Sequence, residues 1–322
     1  MAAGDQPKVR FGRTDLMVSR LCQGTAFRTM ARSEANERGV EVLRYCLDAG
    51  VNFFDSAIAY GWGGAEKALG RAVAGRRDRA VICTKVPTSH PPPSDGEPAA
   101  FTPAYLESQL HGSLRRLGTD YLDLFLLHQA DGVTGAADIC AAMDAFVRAG
   151  KIRYWGISNH SAAAVSELHE TALAAGTSPP AGIEDYYTVA GVTVSDDNQA
   201  RTRLFEREMF PVVGELGLGV MTFSPMDQGF LAPGRKVEHG PPMEGILAEL
   251  DAVARELGVS RAAVCVAWVL ARPEVTSVLG GSESEEHVDQ MLDGTALCVP
   301  AELMDRLDAA SHRFTNEMEQ GA

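Results

Sequence analysis

The sequence lacks the long apolar runs and the basic charge that mark several large protein classes. No run approaches the length of a membrane span, and the polar start MAAGDQPKVRFGRTD has no apolar core of signal-peptide length. Its 29 lysines and arginines are outnumbered by 43 acidic residues, which gives a net charge of -14. This acidity argues against a nucleic-acid or anionic membrane partner. We therefore expect a cytoplasmic protein with neither partner, and the sequence leaves its oligomeric state open.

The chain also lacks paired cysteines and the best-known cofactor and protease motifs. Its six cysteines are scattered with no CxxC pair, which favours reduced thiols, and we predict no metal site. No GxGxxG follows a first strand, and GxxxxGK[ST], HExxH and GxSxG are missing as well. A dinucleotide, if the chain binds one, is therefore not held by a Rossmann turn.

What the chain does contain is a strict alternation of strand-like and helix-like segments. About eight strand-then-helix units follow a predicted hairpin at about 9–19. Alternation implies parallel strands, and about eight of them imply a closed (β/α)8 TIM barrel with an N-terminal β-hairpin cap. We expect one domain over 1–322, with loops 87–103, 186–200 and 224–244 at the barrel mouth. The predicted helices include 33–48, 65–74, 103–117, 137–149, 161–175, 200–216 and 244–271.

Three apolar strands end in three different ionisable side chains. The stretch GVNFFDSAIAY at 50–60 runs into Asp55 and Tyr60, AVICTK ends in Lys85, and YLDLFLLH ends in His128. Taken singly, each is more often a helix cap or a solvated group than a functional residue. Because the carboxyl ends of barrel strands converge, the four together indicate one shared site.

These four groups suit proton transfer at a carbonyl or an alcohol. The pKa of a tyrosine hydroxyl is near ~10 in water, and a neighbouring ammonium lowers it. With Lys85 held charged by Asp55, Tyr60 could give a proton to a carbonyl oxygen or take one from an alcohol. His128 would help to place that oxygen through a hydrogen bond. The set suits hydride transfer, and a strand-end lysine also permits a Schiff base, as in carbonyl-condensing lyases.

Hydride transfer needs a nicotinamide site, and later segments offer its parts. The strand KIRYWGISN ends in the short polar residues Ser158 and Asn159, which can hydrogen-bond a carboxamide. The strand GVMTFSP supplies Phe223 for stacking, followed by a turn with backbone amides for a pyrophosphate. Residues 280–291, GGSESEEHVDQM, form a glycine turn that opens into a helix, whose N-terminus can bind anionic groups.

In order and spacing, these segments resemble the aldo-keto reductase superfamily over nearly the whole length. The similar pieces are FFDSAIAYGWGGAEKALG, VICTKV, YLDLFLLHQ, GKIRYWGISN, TFSP and GGSESEEHV. The resemblance implies a catalytic tetrad of Asp55, Tyr60, Lys85 and His128, with Tyr60 as the general acid/base, and NAD(P)H lying across the barrel mouth. The cofactor-binding residues that it implies are Gly24, Thr25, Asp55, Ser158, Asn159, Glu184, Phe223, Ser224, Pro225, Met226, Gln228, Gly281, Ser282, Glu283 and His287.

Three positions depart from the family pattern. Glu184 stands where a carboxamide-binding Gln is common, and Met291 where an adenine-binding Asn is common. Where NADP-preferring members of the family place Lys or Arg around the 2′-phosphate, the chain offers Gly281, Ser282, Glu283 and His287. The acidic turn is either a solvated helix start, where acidic residues are favoured, or a device that rejects the 2′-phosphate and accepts a ribose hydroxyl. We favour the second interpretation, and with it NAD over NADP.

The sequence thus predicts an NAD(P)-dependent aldo-keto reductase or alcohol (sugar) dehydrogenase acting on an aldehyde, ketone or sugar. Trp62 is a candidate substrate-binding residue, and packing under the proline-rich loop is its alternative role. Two other functions remain open: a Schiff-base lyase using Lys85, and a slow-turnover cofactor-sensing binding protein on the same fold, as in some relatives attached to channels.

Overall fold

An antiparallel hairpin and eight parallel strands make up the sheet structure. The computed structural model describes residues 6–89, 99–191, 201–234 and 241–320. In the hairpin, β1 (Lys8–Arg10) pairs with β2 (Met17–Ser19). The parallel strands are β3 (Leu21–Gly24), β4 (Phe53–Asp55), β5 (Val81–Val86), β6 (Leu122–Leu127), β7 (Ile152–Ser158), β8 (Gly182–Tyr186), β9 (Gly219–Phe223) and β10 (Ser277–Gly280). They form a closed barrel because β10 pairs with both β9 and β3, so the predicted TIM barrel with its hairpin cap is confirmed.

Helices connect the strands and cover the barrel. They are α1 (Glu37–Asp48), α2 (Gly64–Val73), α3 (Pro103–Leu117), α4 (Ala136–Arg148), α5 (Ala162–Ala175), α6 (Arg201–Leu204), α7 (Phe210–Leu216), α8 (Pro241–Leu257), α9 (Arg261–Leu270), α10 (Glu285–Ala296) and α11 (Ala301–Gln320). A π-helical turn at Phe205–Met209 interrupts the helix predicted over 200–216. The first helix begins later than predicted, because Asn36 rather than Ser33 caps it by accepting a 2.8 Å bond from the Gly39 amide.

The strands alternate between two apolar layers, as a period of two residues requires. In β5, Val81 and Cys83 point into the barrel, whereas Ile82 and Val86 pack against the helices. Continuing the inward series along β4, β5 and β8 leads to Asp55, Lys85 and Glu184, all of them buried. The same alternation that fills the barrel therefore carries three ionisable groups to its carboxyl end.

The hairpin closes the opposite end of the barrel. Phe11 packs edge-on against Phe53, with ring centroids 5.7 Å apart. Its ring lies over Gly182 and Gly219, where an added Cβ would come within 2.4 and 2.5 Å of it. A site that admits small molecules to the barrel interior must therefore open at the other end, where the strands finish.

Parts of the predicted mouth loops lie outside the described residues. These parts are 90–98 of loop 87–103, 192–200 of loop 186–200 and 235–240 of loop 224–244. Within the described ranges, no helix is long and apolar enough to cross a membrane. The assignment of the whole chain to one domain stays a prediction.

Candidate active site

Asp55, Lys85 and Glu184 form a buried charged cluster at the carboxyl ends of β4, β5 and β8. Each side chain belongs to a residue that is at most 2% exposed. The Lys85 ammonium donates to Asp55 Oδ1, to Glu184 Oε2 at 3.0 Å and to the Ser56 carbonyl at 3.2 Å. One ammonium thus pairs with two carboxyl groups in a buried environment, where a charge without a partner costs free energy.

The environment changes the pKa of each member of this cluster. Burial works to lower the pKa of Lys85, but Asp55 and Glu184 outweigh it and hold that pKa well above its usual value. Burial and the neighbouring Asp55 raise the pKa of Glu184 to about 8, against the opposing effect of Lys85. The pKa of Asp55 is also raised by burial. The ammonium therefore stays charged, and one carboxyl group retains a proton at neutral pH.

Tyr60 and His128 lie beside the cluster, as the sequence predicted. Their rings meet edge to face with centroids 5.8 Å apart, and Lys85 Nζ is 5.3 Å from the centroid of the Tyr60 ring. Lys85 acts to lower the pKa of Tyr60, but burial raises it further, so the net shift is upward rather than downward as expected. Burial, assisted by Lys85, lowers the pKa of His128 to about 3. At neutral pH this pair is a phenol and a neutral imidazole, both able to donate a hydrogen bond.

A cavity of about 550 Å³ opens above these groups and reaches the start of α10. It has the size of a ligand site, and it lies where the inward series of strand residues ends. Met291 also lines it. The predicted site residues on its wall are Gly24, Asp55, Tyr60, His128, Asn159, Glu184, Phe223, Ser224, Pro225, Met226, Gln228, Gly281, Ser282 and His287.

Three predicted residues lie behind the cavity wall. Lys85 is fully buried below Tyr60. The Thr25 hydroxyl donates to the Ser56 hydroxyl at 2.9 Å, and the Ser158 hydroxyl accepts from the Asn159 amide at 2.9 Å. These positions support the wall through hydrogen bonds and do not themselves face the cavity.

Backbone strain is concentrated in the loops of this mouth. Among the described residues, the non-glycine positions with positive φ are Trp62, Asn159, Ser224, Asp227 and Gln228, with φ between 43° and 64°. All five follow strands β4, β7 or β9, and such conformations cost roughly 1–2 kcal/mol each. Backbone strain of this kind clusters at functional sites, so it supports the mouth as the location of the site.

Trp62, the predicted substrate-binding residue, is 37% exposed and lies outside the cavity lining.

Glu283 lies in an arrangement that the sequence did not predict. Its carboxylate accepts from the Thr29 amide at 2.9 Å, and also from the Thr29 hydroxyl and the Arg28 amide. Burial works to raise the pKa of Glu283, but the bonds from Thr29 and its neighbours hold it below the usual value. Glu283 thus ties the loop after β3 to the turn after β10. These three bonds leave only part of the carboxylate's acceptor capacity for a ribose hydroxyl.

Several cavity residues were missed by the sequence reasoning. Arg28 reaches across the cavity and donates to Gln228 Oε1 at 2.9 Å. Arg261, at the start of α9, donates to Asp251 at 2.6 Å and to the Leu231 carbonyl at 2.8 Å. Arg28 follows a barrel strand, so its place after a strand end could have indicated a site residue, as it did for Asp55. Arg261 begins a helix, and its place in the sequence gives no comparable indication. The remaining missed positions are Ala26, Ala232, Pro233, Ser260, Ala262, Leu279 and Gln290.

Comparison with known proteins identifies the family of this chain. The chain is 30% identical over 317 residues to the uncharacterized oxidoreductase YrpG of Bacillus subtilis, covering 92% of this chain and 93% of that one. It is 30% identical to a probable voltage-gated potassium channel subunit beta of rice, Oryza sativa subsp. japonica, covering 92% and 94%. It is 30% identical to the methylglyoxal reductase YeaE of Escherichia coli, covering 82% and 81%. The profile of the Aldo/keto reductase family matches residues 20–312, and the chain belongs to this family.

Proposed function

We propose that this protein is an NAD(P)H-dependent oxidoreductase that moves a hydride between nicotinamide and the carbonyl or alcohol carbon of an aldehyde, ketone or sugar. Tyr60 is its general acid/base. The observation that carries the proposal is a neutral phenol beside a neutral imidazole, above a buried ammonium, on the wall of a ligand-sized cavity. A cytoplasmic location goes with it, because all six cysteines are free thiols, as a reducing compartment requires.

The cavity suits a nicotinamide dinucleotide. Ser282 is 1% exposed and lines the cavity, and its hydroxyl has no hydrogen-bond partner among the described residues. Asn159 and Glu184 offer polar groups for a carboxamide, and Phe223 offers a ring for stacking. A buried, unbonded hydroxyl on a cavity wall is costly unless a ligand satisfies it. When bound, the dinucleotide would supply the hydride in reduction or accept it in oxidation.

The side chains divide the proton chemistry between them. Tyr60 donates its proton to the substrate oxygen, and neutral His128 donates a hydrogen bond that orients this oxygen. Lys85 is charged when Tyr60 gives up its proton, and it stabilises the phenolate as it forms. Because the pKa of Tyr60 is raised, Tyr60 rests as the phenol, which is the form from which carbonyl reduction starts.

The names of relatives suggest small carbonyl substrates. Besides the methylglyoxal reductase, one relative that is 28% identical is named an aryl-alcohol dehydrogenase, from Pestalotiopsis microspora. We propose NAD as the preferred cofactor, because Gly281 and Ser282 bring no positive charge to the turn before α10.

The Schiff-base alternative is poorly supported by the geometry. A lysine attacks a carbonyl only as the free amine, and two carboxyl groups hold Lys85 as an ammonium. Borohydride added with a carbonyl substrate should therefore leave no adduct on Lys85.

A slow-turnover binding protein is the stronger alternative, because the rice relative is named a channel subunit. Product analysis under multiple turnover separates the two functions. With NADH or NADPH in excess, methylglyoxal and benzaldehyde should be converted to alcohols over many cycles. Cofactor binding with at most one product per protein molecule would favour the sensing role, and no binding of either cofactor would overturn the oxidoreductase proposal.

A further inference from the structure

We propose that Glu184 carries a proton in the resting protein and that this proton, passed through Lys85, replaces the one that Tyr60 gives to the substrate. The transfer step rests on the proposed function, whereas the protonation of Glu184 does not. Glu184 would act through Lys85 and not on the substrate, so it is a positioning residue in this scheme.

The packing of two carboxyl groups around one ammonium carries the inference. Asp55, Lys85 and Glu184 are each at most 2% exposed. Oxygen atoms of the Asp55 and Glu184 carboxyl groups lie within 4.8 Å of each other. Two ionised carboxylates this close repel each other, so a proton on one of them lowers the electrostatic cost of the pair. One proton, one ammonium and one carboxylate give a neutral buried cluster, which is the least costly charge state there.

The contacts of the two carboxyl groups decide which of them holds the proton. Asp55 accepts a hydrogen bond from Lys85, and this contact favours its ionised form. Glu184 has a longer contact to Lys85, at 3.0 Å, and faces the charge of Asp55. Burial and that charge raise the pKa of Glu184 to about 8. The proton therefore resides on Glu184.

The other titratable groups around Glu184 do not balance its charge. Cys22 on β3 and Cys83 on β5 face the cluster, and burial raises the pKa of both thiols well above the usual value, so both are neutral. Tyr60 and His128 are neutral as well. Strands β9 and β10 contain no ionisable residue. Lys85 thus provides the positive charge of the cluster.

The charged residues of β6 and β7 lie elsewhere. Asp123 on β6 and Arg153 on β7 pair with each other at 2.9 Å, toward the end that the hairpin closes. On β8 itself, Asp185 follows Glu184 and points to the opposite face of the strand, as a period of two requires.

The proton balance of the proposed step closes with one proton taken up from solvent. The Tyr60 O–H bond breaks as the substrate oxygen takes the proton. Lys85 then gives one N–H proton to the phenolate, and Glu184 gives its O–H proton to the Lys85 amine. The cluster ends with a carboxylate at Glu184 and one more negative charge. After the product leaves, water in the cavity, which Glu184 lines, returns a proton to the carboxylate.

Infrared spectroscopy of the cofactor-free protein tests the protonation directly. The difference spectrum between pH 6 and pH 10 should show the carbonyl stretch of a protonated carboxyl group disappearing with a midpoint near the Glu184 pKa of about 8. The band should be absent in Glu184→Gln. It should persist in Glu66→Gln, a matched control whose buried carboxylate is paired with Arg116. A wild-type protein without the band, or a Glu184→Gln variant that keeps it, would overturn the proposal.

The pH dependence of reduction tests the transfer. In the wild type, the steady-state rate over many turnovers should fall about tenfold per pH unit above the Glu184 midpoint, and this limb should vanish in Glu184→Gln. A merely structural role would lower the rate equally at every pH and leave the limb in place, which would overturn the transfer step. If the infrared band behaves as expected but no carbonyl is turned over, the proposed function and the transfer step fail while the protonation stands.

Discussion

Each end of the barrel has an ion cluster built on buried carboxyl groups, and the two clusters have opposite compositions. At the hairpin end, one carboxylate serves two cations: Asp123 accepts from Arg77 at 2.7 Å and from Arg153 at 2.9 Å. At the mouth, one ammonium serves the two carboxyl groups of Asp55 and Glu184. The carboxyl groups of both clusters belong to residues on barrel strands. Their surroundings therefore decide what each cluster does.

The difference lies in whether a proton can move. An arginine does not give up its proton in proteins, and the two arginine side chains at the hairpin end are 19% and 39% exposed, so water shares their charge. That cluster can only hold the structure together. At the mouth, all three groups are buried and Glu184 carries a proton. This proton can be passed through Lys85 to Tyr60.

The largest expected effect is the loss of the phenol at the mouth. Tyr60→Phe should lower the rate of carbonyl reduction by roughly 10²–10⁴-fold, which is the usual contribution of a general acid. Cofactor affinity should change little, because the phenol hydroxyl acts on the substrate. Steady-state kinetics and a cofactor titration measure the two effects.

Tyr154→Phe is the matched control from the other end of the barrel, where the Tyr154 hydroxyl donates to Asp15 at 2.9 Å. It should leave the reduction rate within about twofold of the wild type, as expected of a change away from the site. Equal losses of reduction rate in Tyr60→Phe and Tyr154→Phe would contradict the assignment of catalysis to the mouth.

The second effect is a pH-dependent change in stability. The pKa of Glu184 is raised from 4.5 to about 8, so the folded protein holds more protons than the unfolded chain between these values. The stabilising contribution is therefore complete below about pH 4.5 and is lost as the pH rises through 8. The free energy of unfolding of Glu184→Gln, compared with that of wild type, should therefore rise by on the order of 3 kcal/mol between pH 5 and pH 8.

Urea unfolding at a series of pH values measures this change. Glu66→Gln, measured in parallel, is the matched loss of a buried carboxyl group outside the cluster. A constant difference for Glu184→Gln would contradict the raised pKa.

The third effect is structural and belongs to the hairpin end. Asp123→Asn removes the charge that holds Arg77 and Arg153 and weakens the bond from the Ile82 amide. Breaking a fully buried pair costs ~3–5 kcal/mol, and partial exposure of the arginines reduces this to about 2 kcal/mol. Asp15→Asn removes an exposed partner of Arg153 and should cost less than about 0.5 kcal/mol. Activity per folded molecule should be unchanged in both variants, and a large loss in Asp123→Asn would show that this cluster also serves the mouth.

The smallest expected effect is cofactor choice. The wild type should bind NADH several-fold more tightly than NADPH, a difference of about 1 kcal/mol. Gly281→Lys should reverse this order, because a Cβ at Gly281 meets nothing within 4 Å and the new ammonium would attract a 2′-phosphate. Gly281→Ala is the neutral control. Tighter NADPH binding by the wild type would place the 2′-phosphate away from the acidic turn.

Strand alternation made the fold and the core of the site predictable. Asp55, Lys85 and Glu184 all continue an inward apolar series, so a period of two residues places them together. The protonation state of the neighbouring Tyr60 was harder to predict. The net upward shift of its pKa depends on burial by all the residues around it at the mouth.

Loop residues were less predictable because their partners are distant in sequence. Glu283 is bonded by Thr29, 254 residues away, and this contact changes the meaning of an acidic turn. Arg261 faces the cavity from the start of α9, for which no strand pattern gives a signal. Position in a regular element can be predicted from one sequence, whereas contacts between loops depend on the assembled fold.

Label transfer tests the central claim most directly. The wild type is supplied with methylglyoxal or benzaldehyde and with NADH that carries deuterium at the transferable position of the nicotinamide, and the alcohol product is analysed by mass spectrometry. We predict one deuterium on the carbinol carbon over many turnovers, and at least about a hundredfold less labelled product with Tyr60→Phe. Unlabelled product, no product from a protein that binds NADH, or an equal yield from Tyr60→Phe would contradict hydride transfer at this mouth.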